Sequence, residues 1–300
     1  MNGAYILGTA QLGQPYGIAN ASGQPDMENA VTIVRTALNL GVSFFDTARA
    51  YGESERVLGH ALRRCNAEDG VEVITKLPPA LPATPRMLAE SLRDSMRKLG
   101  VSRLYCLMLH REEHLAALNT RLGEELRRYR SEGVIRNIGI SVYSPEAALA
   151  ALQNRLISVV QIPASLFDRR FENAGVFMKA RETGKELHLR SIFLQGVLCM
   201  RPDELPSFLG EFIPALSKFR ALCHEYACMP NRAALLWILR RRTNCRICFG
   251  AENPDQVRQN LDSAALNDIL PDAFFAGLEA ILPPQKPEIL NPALWPRCRC

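Results

Sequence analysis

The sequence predicts a single-domain α/β chain whose eight parallel strands close into a (β/α)8 TIM barrel. Three observations carry this. Short apolar segments alternate with longer amphipathic ones along the chain. Several of the short segments are near-continuous apolar runs, as strands buried on both faces require. The 300 residues also suit one barrel, which takes roughly 250.

The strand candidates, in order, are residues 5–8, 43–46, 71–76, 104–109, 135–141, 159–163, 187–193 and 246–250. Helical patterns fall between them over 26–40, 53–64, 84–99, 113–132 and 145–153, and a last one over 272–282. Gly41 and Gly100 stand where two of these helices should stop, and Asp26 and Ser144 are suitable N-caps. Strand then helix, repeated eight times, points to a closed parallel sheet. The alternative is a doubly wound open sheet, which usually has a Gly-rich phosphate turn opening a helix after its first strand. The turn here, Gly8 to Gly13, has its glycines five apart and reads as opening no helix. Residues 196–217 hold three prolines and read as a long loop with short helical pieces. Five prolines follow the last helix, so 283–300 reads as a loop or mobile tail. Both segments are candidates to close over a barrel mouth.

Apolar residues make up 47% and charged residues 22%, enough to bury a large core without disorder. The net charge of +5 is spread among acidic residues, so no nucleic-acid footprint is expected. The basic run Arg240-Arg241-Arg242 ends a helical pattern, where cations favour the dipole. The N-terminus lacks a signal-peptide pattern, and no apolar run reaches the roughly 18 residues of a membrane span. A soluble, cytoplasmic monomer is the expectation. Nine cysteines are too few for a disulfide scaffold in a chain this long. Cys223 with Cys228 and Cys245 with Cys248 have zinc-like spacings. The second pair lies on a strand, where positions three apart face opposite ways, so no metal is expected. Cys298 and Cys300 belong to the tail.

The chemistry is suggested by where polar residues fall. The second, third and fourth strands end in Asp46, Lys76 and His110. In a barrel these strands are neighbours, and their C-terminal ends share the mouth that holds the chemistry. Taken singly, Asp46 reads as a cap, Lys76 as a solvated cation, His110 as a structural histidine and Tyr51 as ordinary packing. Together they place an acid, a base and a phenol at one site, and Asp46 supplies the partner that a buried lysine needs.

The segment Phe45-Asp46-Thr47-Ala48-Arg49-Ala50-Tyr51-Gly52-Glu53-Ser54-Glu55-Arg56-Val57-Leu58-Gly59 resembles the signature of the aldo-keto reductases. The spacing of Asp46, Tyr51, Lys76 and His110 is similar to that family's catalytic tetrad. The likeness runs from Gly8-Thr9 to Asn260. The opening from Leu7 to Asn20 is similar to a bacterial subgroup whose substrates are often unassigned. The resemblance implies an NAD(P)H-dependent reductase that turns an aldehyde or ketone into an alcohol. Tyr51 would be the general acid, its pKa lowered by Lys76, which Asp46 holds in place. His110 would orient the carbonyl.

The resemblance also implies a cofactor cleft. Gly8 and Thr9 match a first-strand contact. Ser141 and Gln161 match residues that meet the nicotinamide amide, with Val142 where the family usually has Asn. Arg190, beside Ser191, stands where an aromatic ring commonly stacks on the nicotinamide, and a guanidinium can also stack. The segment from Phe249 to Leu261 resembles the adenosine-phosphate site, with Gly250, Glu252, Gln256 and Asn260 as its contacts. None of Gly250, Glu252 and Gln256 is basic. Glu252 suits a ribose 2′-hydroxyl, while Arg258 could meet a phosphate. The family habit favours NADPH, with NADH possible. The partner is a small-molecule carbonyl substrate, whose pocket should include Tyr16, Tyr51 and Phe193. Two other functions stay open at this point: a cofactor-binding redox sensor with little catalysis, and another barrel enzyme using Lys76, such as a lyase.

Overall fold

The computed structural model describes residues 4–82, 84–241, 245–262 and 270–296. Eight strands form a closed barrel in sequential order. They are β1 (Tyr5–Gly8), β2 (Phe44–Asp46), β3 (Glu72–Lys76), β4 (Leu104–Leu109), β5 (Ile135–Ser141), β6 (Val159–Pro163), β7 (Glu186–Arg190) and β8 (Cys245–Phe249). Every neighbouring pair is parallel, and β1 closes onto β8 through Tyr5 opposite Ile247. Parallel closure demands a crossover after each strand, and the amphipathic segments supply it.

Strand alternation separates two cores. Ile6, Phe44, Ile74, Cys106, Met108, Val159 and Cys248 pack with Tyr105 in one cluster inside the barrel. Leu7, Phe45, Val73, Leu107, Ile138, Val160, Leu187 and Ile247 belong to the larger cluster beneath the helices. Asp46 lies two residues after Phe44 and Lys76 two after Ile74, so both side chains follow the inward face to the C-terminal mouth. At the opposite end Glu186 accepts from the Tyr105 hydroxyl at 2.5 Å, contacts His188 Nε2 at 3.0 Å and pairs with Arg246. This plugs the bottom of the barrel with satisfied charge.

Local chemistry explains the helix boundaries. Asp26 accepts from the Asn29 N–H at 2.8 Å to start the helix Met27–Asn39. Ser144 accepts from the Ala147 N–H at 3.3 Å to start Pro145–Gln153. Gly100 ends the helix Pro85–Leu99 in the left-handed region, at φ 75°.

Four expectations change. The helix expected over 113–132 is two pieces, a 3-10 stretch Glu112–Asn119 and an α-helix Arg121–Ser131. Thr120 breaks it because its hydroxyl accepts from the Leu122 N–H and caps the second piece. A short helical turn, Ala10–Gly13, does follow β1. β7 stops at Arg190 rather than 193, because Ser191, Leu194 and Gln195 have positive φ. The segment from 283 is packed as far as it is described. Leu290 is fully buried, the Trp295 indole N–H donates to the Ile289 carbonyl, and the Gln285 amide bonds Phe167 and Arg169. Cys298 and Cys300 lie outside the described residues, as does Arg242.

Candidate active site

Tyr51 sits in the loop between β2 and the helix Ser54–Arg64, and hydroxyl groups fix that loop. Ser54 Oγ donates to the Thr9 carbonyl at 2.7 Å and shares bonds with Thr9 Oγ1 at 2.8 Å and Thr47 Oγ1 at 2.9 Å. Thr9 Oγ1 also donates to the Asp46 carbonyl at 2.9 Å. Behind them the buried Glu55 accepts from Thr75 Oγ1 at 2.6 Å. The turn after β1 then presses directly on the Tyr51 loop. A Cβ placed on Gly13 would lie 1.9 Å from the Tyr51 carbonyl oxygen, and one on Gly52, at φ 54°, would lie 2.3 Å from the Gly13 oxygen. Only glycine permits this approach. Gly13→Ala is expected to destabilise the fold by about 1–3 kcal/mol and to lower turnover by moving Tyr51. Thermal melts and initial rates check it, and an unchanged Tm with full activity would refute the role given to this contact.

The polar residues from β2, β3 and β4 meet as one group. Lys76 Nζ lies 2.6 Å from Asp46 Oδ1, donates to the Thr47 carbonyl at 3.0 Å, and sits 5.0 Å from the Tyr51 ring centroid. The lysine side chain is 0% exposed and the aspartate 5%, so this is a buried ion pair. The His110 ring packs edge-on against Tyr51, with centroids 5.7 Å apart. Its Nδ1 is buried without a partner.

The electrostatics correct one expectation. Burial raises the Tyr51 pKa well above its ordinary value, and the Asp46 charge raises it further, while Arg190 opposes both. Any lowering by Lys76 is outweighed, because the ammonium is already bonded to Asp46 and the phenol is desolvated. Tyr51 is therefore held as a neutral proton donor. Burial, and then the Lys76 charge, lower His110 to about 4. His110 is neutral at physiological pH, and its uncharged ring is favoured by the fold. That contribution to stability is complete above the ordinary value of 6.5 and is lost as pH falls towards 4. With Tyr51 protonated and His110 neutral throughout, kcat/KM for carbonyl reduction is expected to be flat from about pH 5.5 to about pH 8. A rate profile with a midpoint near 6.5 would contradict this.

A cleft of about 720 Å³ runs along the barrel mouth from Asp46, Tyr51 and Cys248 to Arg220, Glu252 and Asn260. Gly8, Thr9, Arg190, Ser191, Gly250, Glu252, Gln256 and Asn260 all line it, as do Tyr16 and Phe193. Two expected cofactor contacts do not, and Lys76 and His110 stand behind the lining as well. Ser141 is covered by Arg190, whose Nε approaches Ser141 Oγ at 3.4 Å and whose Nη2 donates to the Val142 carbonyl at 3.1 Å. Gln161 donates from Nε2 to Asp46 Oδ2 at 2.9 Å, leaving its Oε1 buried and unpartnered. The Thr9 hydroxyl is turned into the Ser54 network. Arg258 pairs with Asp255 on the surface and does not line the cleft.

Other lining residues carried no recognisable sequence signal. Gln11 places its amide 2.4 Å from where a Gly250 Cβ would stand. Arg220, on the helix Ile213–Glu225, donates to the Cys199 and Met200 carbonyls at 3.3 Å. The loop after β1 reaches across to the loop after β7, where the Ile18 N–H donates to the Gln195 carbonyl at 3.1 Å. The 196–217 loop supplies Gly196, Cys199, Met200 and Glu204 to the cleft. No described residue beyond Asn260 lines it, so the described part of the C-terminal segment, 283–296, takes no part in this cleft.

The sequence profile of the Aldo/keto reductase family matches residues 5–283. The chain belongs to the aldo-keto reductase family. It is 28% identical over 288 residues to the NADH-specific methylglyoxal reductase of Escherichia coli (strain K12), covering 84% of this chain and 87% of that one. It is 24% identical over 307 residues to the aldo-keto reductase YhdN of Bacillus subtilis (strain 168), covering 89% and 92%. Its barrel superposes on that of the aldo-keto reductase AKR11C1 from Bacillus halodurans with a TM-score of 0.74 at 21% identity, covering 94% and 93%. A TM-score of 0.74 at 23% identity relates it to the glycerol dehydrogenase AKR11B4 from Gluconobacter oxydans, covering 93% and 90%.

Membership brings the class of chemistry: oxidation and reduction of small carbonyl compounds and alcohols with a nicotinamide cofactor. The cleft of this aldo-keto reductase fits such a group. The cleft is long, and its lining joins Gly8, Arg190 and Ser191 at one end to Arg220 and Asn260 at the other; just behind Asp46 the buried Gln161 Oε1 is an acceptor without a donor.

Proposed function

We propose that the chain reduces a small aldehyde or ketone to the alcohol, with Tyr51 as general acid and NADPH as the reductant. The observation that carries this is a phenol kept protonated at the cleft, beside a buried Lys76–Asp46 pair and a neutral His110. The bound cofactor supplies the hydride. Tyr51 gives its proton to the carbonyl oxygen as negative charge develops there, and that charge is what overcomes the high pKa of the phenol. Lys76 stabilises the phenolate left behind, and Asp46 keeps Lys76 charged and aimed. The neutral His110 donates one N–H to the same oxygen and fixes its direction.

Gly8, Ser191 and Asn260 form the walls along which the cofactor would lie. Gln161 Oε1 and Ser141 would meet the carboxamide once Arg190 swings off Ser141. At the adenosine end Arg220 supplies the positive charge that Gly250, Glu252 and Gln256 lack, and this supports NADPH. A second reading, NADH, is favoured by Glu252, which also lines the cleft and whose backbone N–H is tied to Gln256 Oε1 at 2.8 Å. A cytoplasmic monomer completes the proposal. Among the described residues no two cysteines are joined in a disulfide, as in a reducing compartment. The exposed large apolar residues, such as Leu40, Met87 and Met178, are scattered over separate helices.

The test follows absorbance at 340 nm with NADPH and then NADH against 4-nitrobenzaldehyde and a panel of aldehydes. Turnover supports the reductase, and the ratio of the two KM values assigns the cofactor. Tight cofactor binding with no turnover on any carbonyl would replace this reading by that of a cofactor sensor.

A further inference from the structure

Arg190 is the cation at the Tyr51 end of the cleft that has no anion. Its guanidinium carbon lies over the Tyr143 ring, 4.0 Å from the centroid. Its donors meet only neutral oxygens, at 3.1 Å (Val142 carbonyl), 3.3 Å (Ser191 Oγ) and 3.4 Å (Ser141 Oγ). These are long bonds for a guanidinium, whose charge-assisted contacts are ordinarily shorter. The acidic residues lining the cleft are Asp46, Glu204 and Glu252. Asp46 is already held by Lys76 and by Gln161, and none of the three forms an ion pair with Arg190 among the described residues. Lys76 and Asp46 cancel, and His110 is neutral. The net charge presented beside Tyr51 is therefore the positive one of Arg190.

A half-buried guanidinium that meets only neutral acceptors gains from a charged one, and here that anion comes from what enters the cleft. We infer that Arg190 selects aldehydes that carry a carboxylate, bound by the N–H groups of Nη1 and Nη2 that its present acceptors leave free. This rests on the reductase reading. The carbonyl carbon takes hydride from the reduced cofactor, the oxygen takes the Tyr51 proton, and the carboxylate leaves unchanged as part of a hydroxy acid. Swinging towards this anion would also free Ser141 and Val142.

The test pairs aldehydes of similar size that differ in charge: glyoxylate with methylglyoxal, and 4-oxobutanoate with butanal. A charge-assisted hydrogen bond predicts a preference of about 10- to 100-fold in kcat/KM for the carboxylates. Arg190→Leu should abolish that preference and Arg190→Lys should keep part of it. Equal use of the paired substrates overturns the inference. So does a preference that survives Arg190→Leu, and a raised KM for NADPH in that variant would then assign the guanidinium to the cofactor. If no carbonyl is turned over, the reductase reading fails on its own, and calorimetric titration of oxalate into the protein–NADPH mixture decides the anion site. Oxalate binding that Arg190→Leu removes supports it, and no binding by the wild type overturns it.

Discussion

Tyr51→Phe is expected to lower carbonyl reduction by at least ~100-fold, the usual contribution of a positioned general acid, while the protein still folds and binds cofactor. The change removes one oxygen from a ring whose position is set elsewhere, by the Gly13–Gly52 contact and by packing against His110. The ring should therefore stay where it is. The loss should appear in kcat more than in KM, because the phenolic proton matters only as charge develops on the substrate oxygen. Steady-state kinetics with cofactor binding measured by fluorescence separates the two. A variant within a few-fold of the wild type would remove Tyr51 from the proton pathway and leave His110 as the remaining donor at the site.

Much of this arrangement is legible in the sequence, for physical reasons. A doubly buried strand favours a short apolar run, so several of the eight strands stand out and the alternation with helices reveals the rest, and polar residues at the C-terminal ends fall at the mouth. Asp46, Lys76 and His110 are therefore readable as neighbours although up to 64 positions separate them. What the sequence does not reveal depends on contacts between distant loops. The Ile18–Gln195 bond, Gln11 beside Gly250 and Arg220 over the Cys199 carbonyl join segments with no periodicity to read. The state of Tyr51 is of the same kind. Lys76 beside a phenol suggests a lowered pKa, but the ammonium is committed to Asp46, and burial of the phenol outweighs it. Arg190 is visible as a departure from the aromatic residue the family prefers. Its lack of an anionic partner becomes apparent only once Tyr143, Ser141 and Ser191 are placed around it.

The buried pair sets the second large expectation. Lys76→Met leaves Asp46 charged in a site where its Oδ1 has lost its partner, and such a loss typically costs about 3–5 kcal/mol. In a chain of this size that corresponds to a fall in Tm of roughly 10 °C, and reduction should fall at least as far as in Tyr51→Phe because the phenolate loses its cation. Stability and catalysis can then be separated with a second change. Asp46→Asn in the Lys76→Met background removes the stranded charge while keeping an oxygen that accepts from Gln161 Nε2. The double variant should therefore recover part of the lost Tm yet stay inactive, since no cation faces Tyr51. Recovery of both would mean that Lys76 acts only by holding the fold. Recovery of neither would mean that the lost Tm comes from the packing of Lys76 and its bond to the Thr47 carbonyl, not from a stranded Asp46 charge.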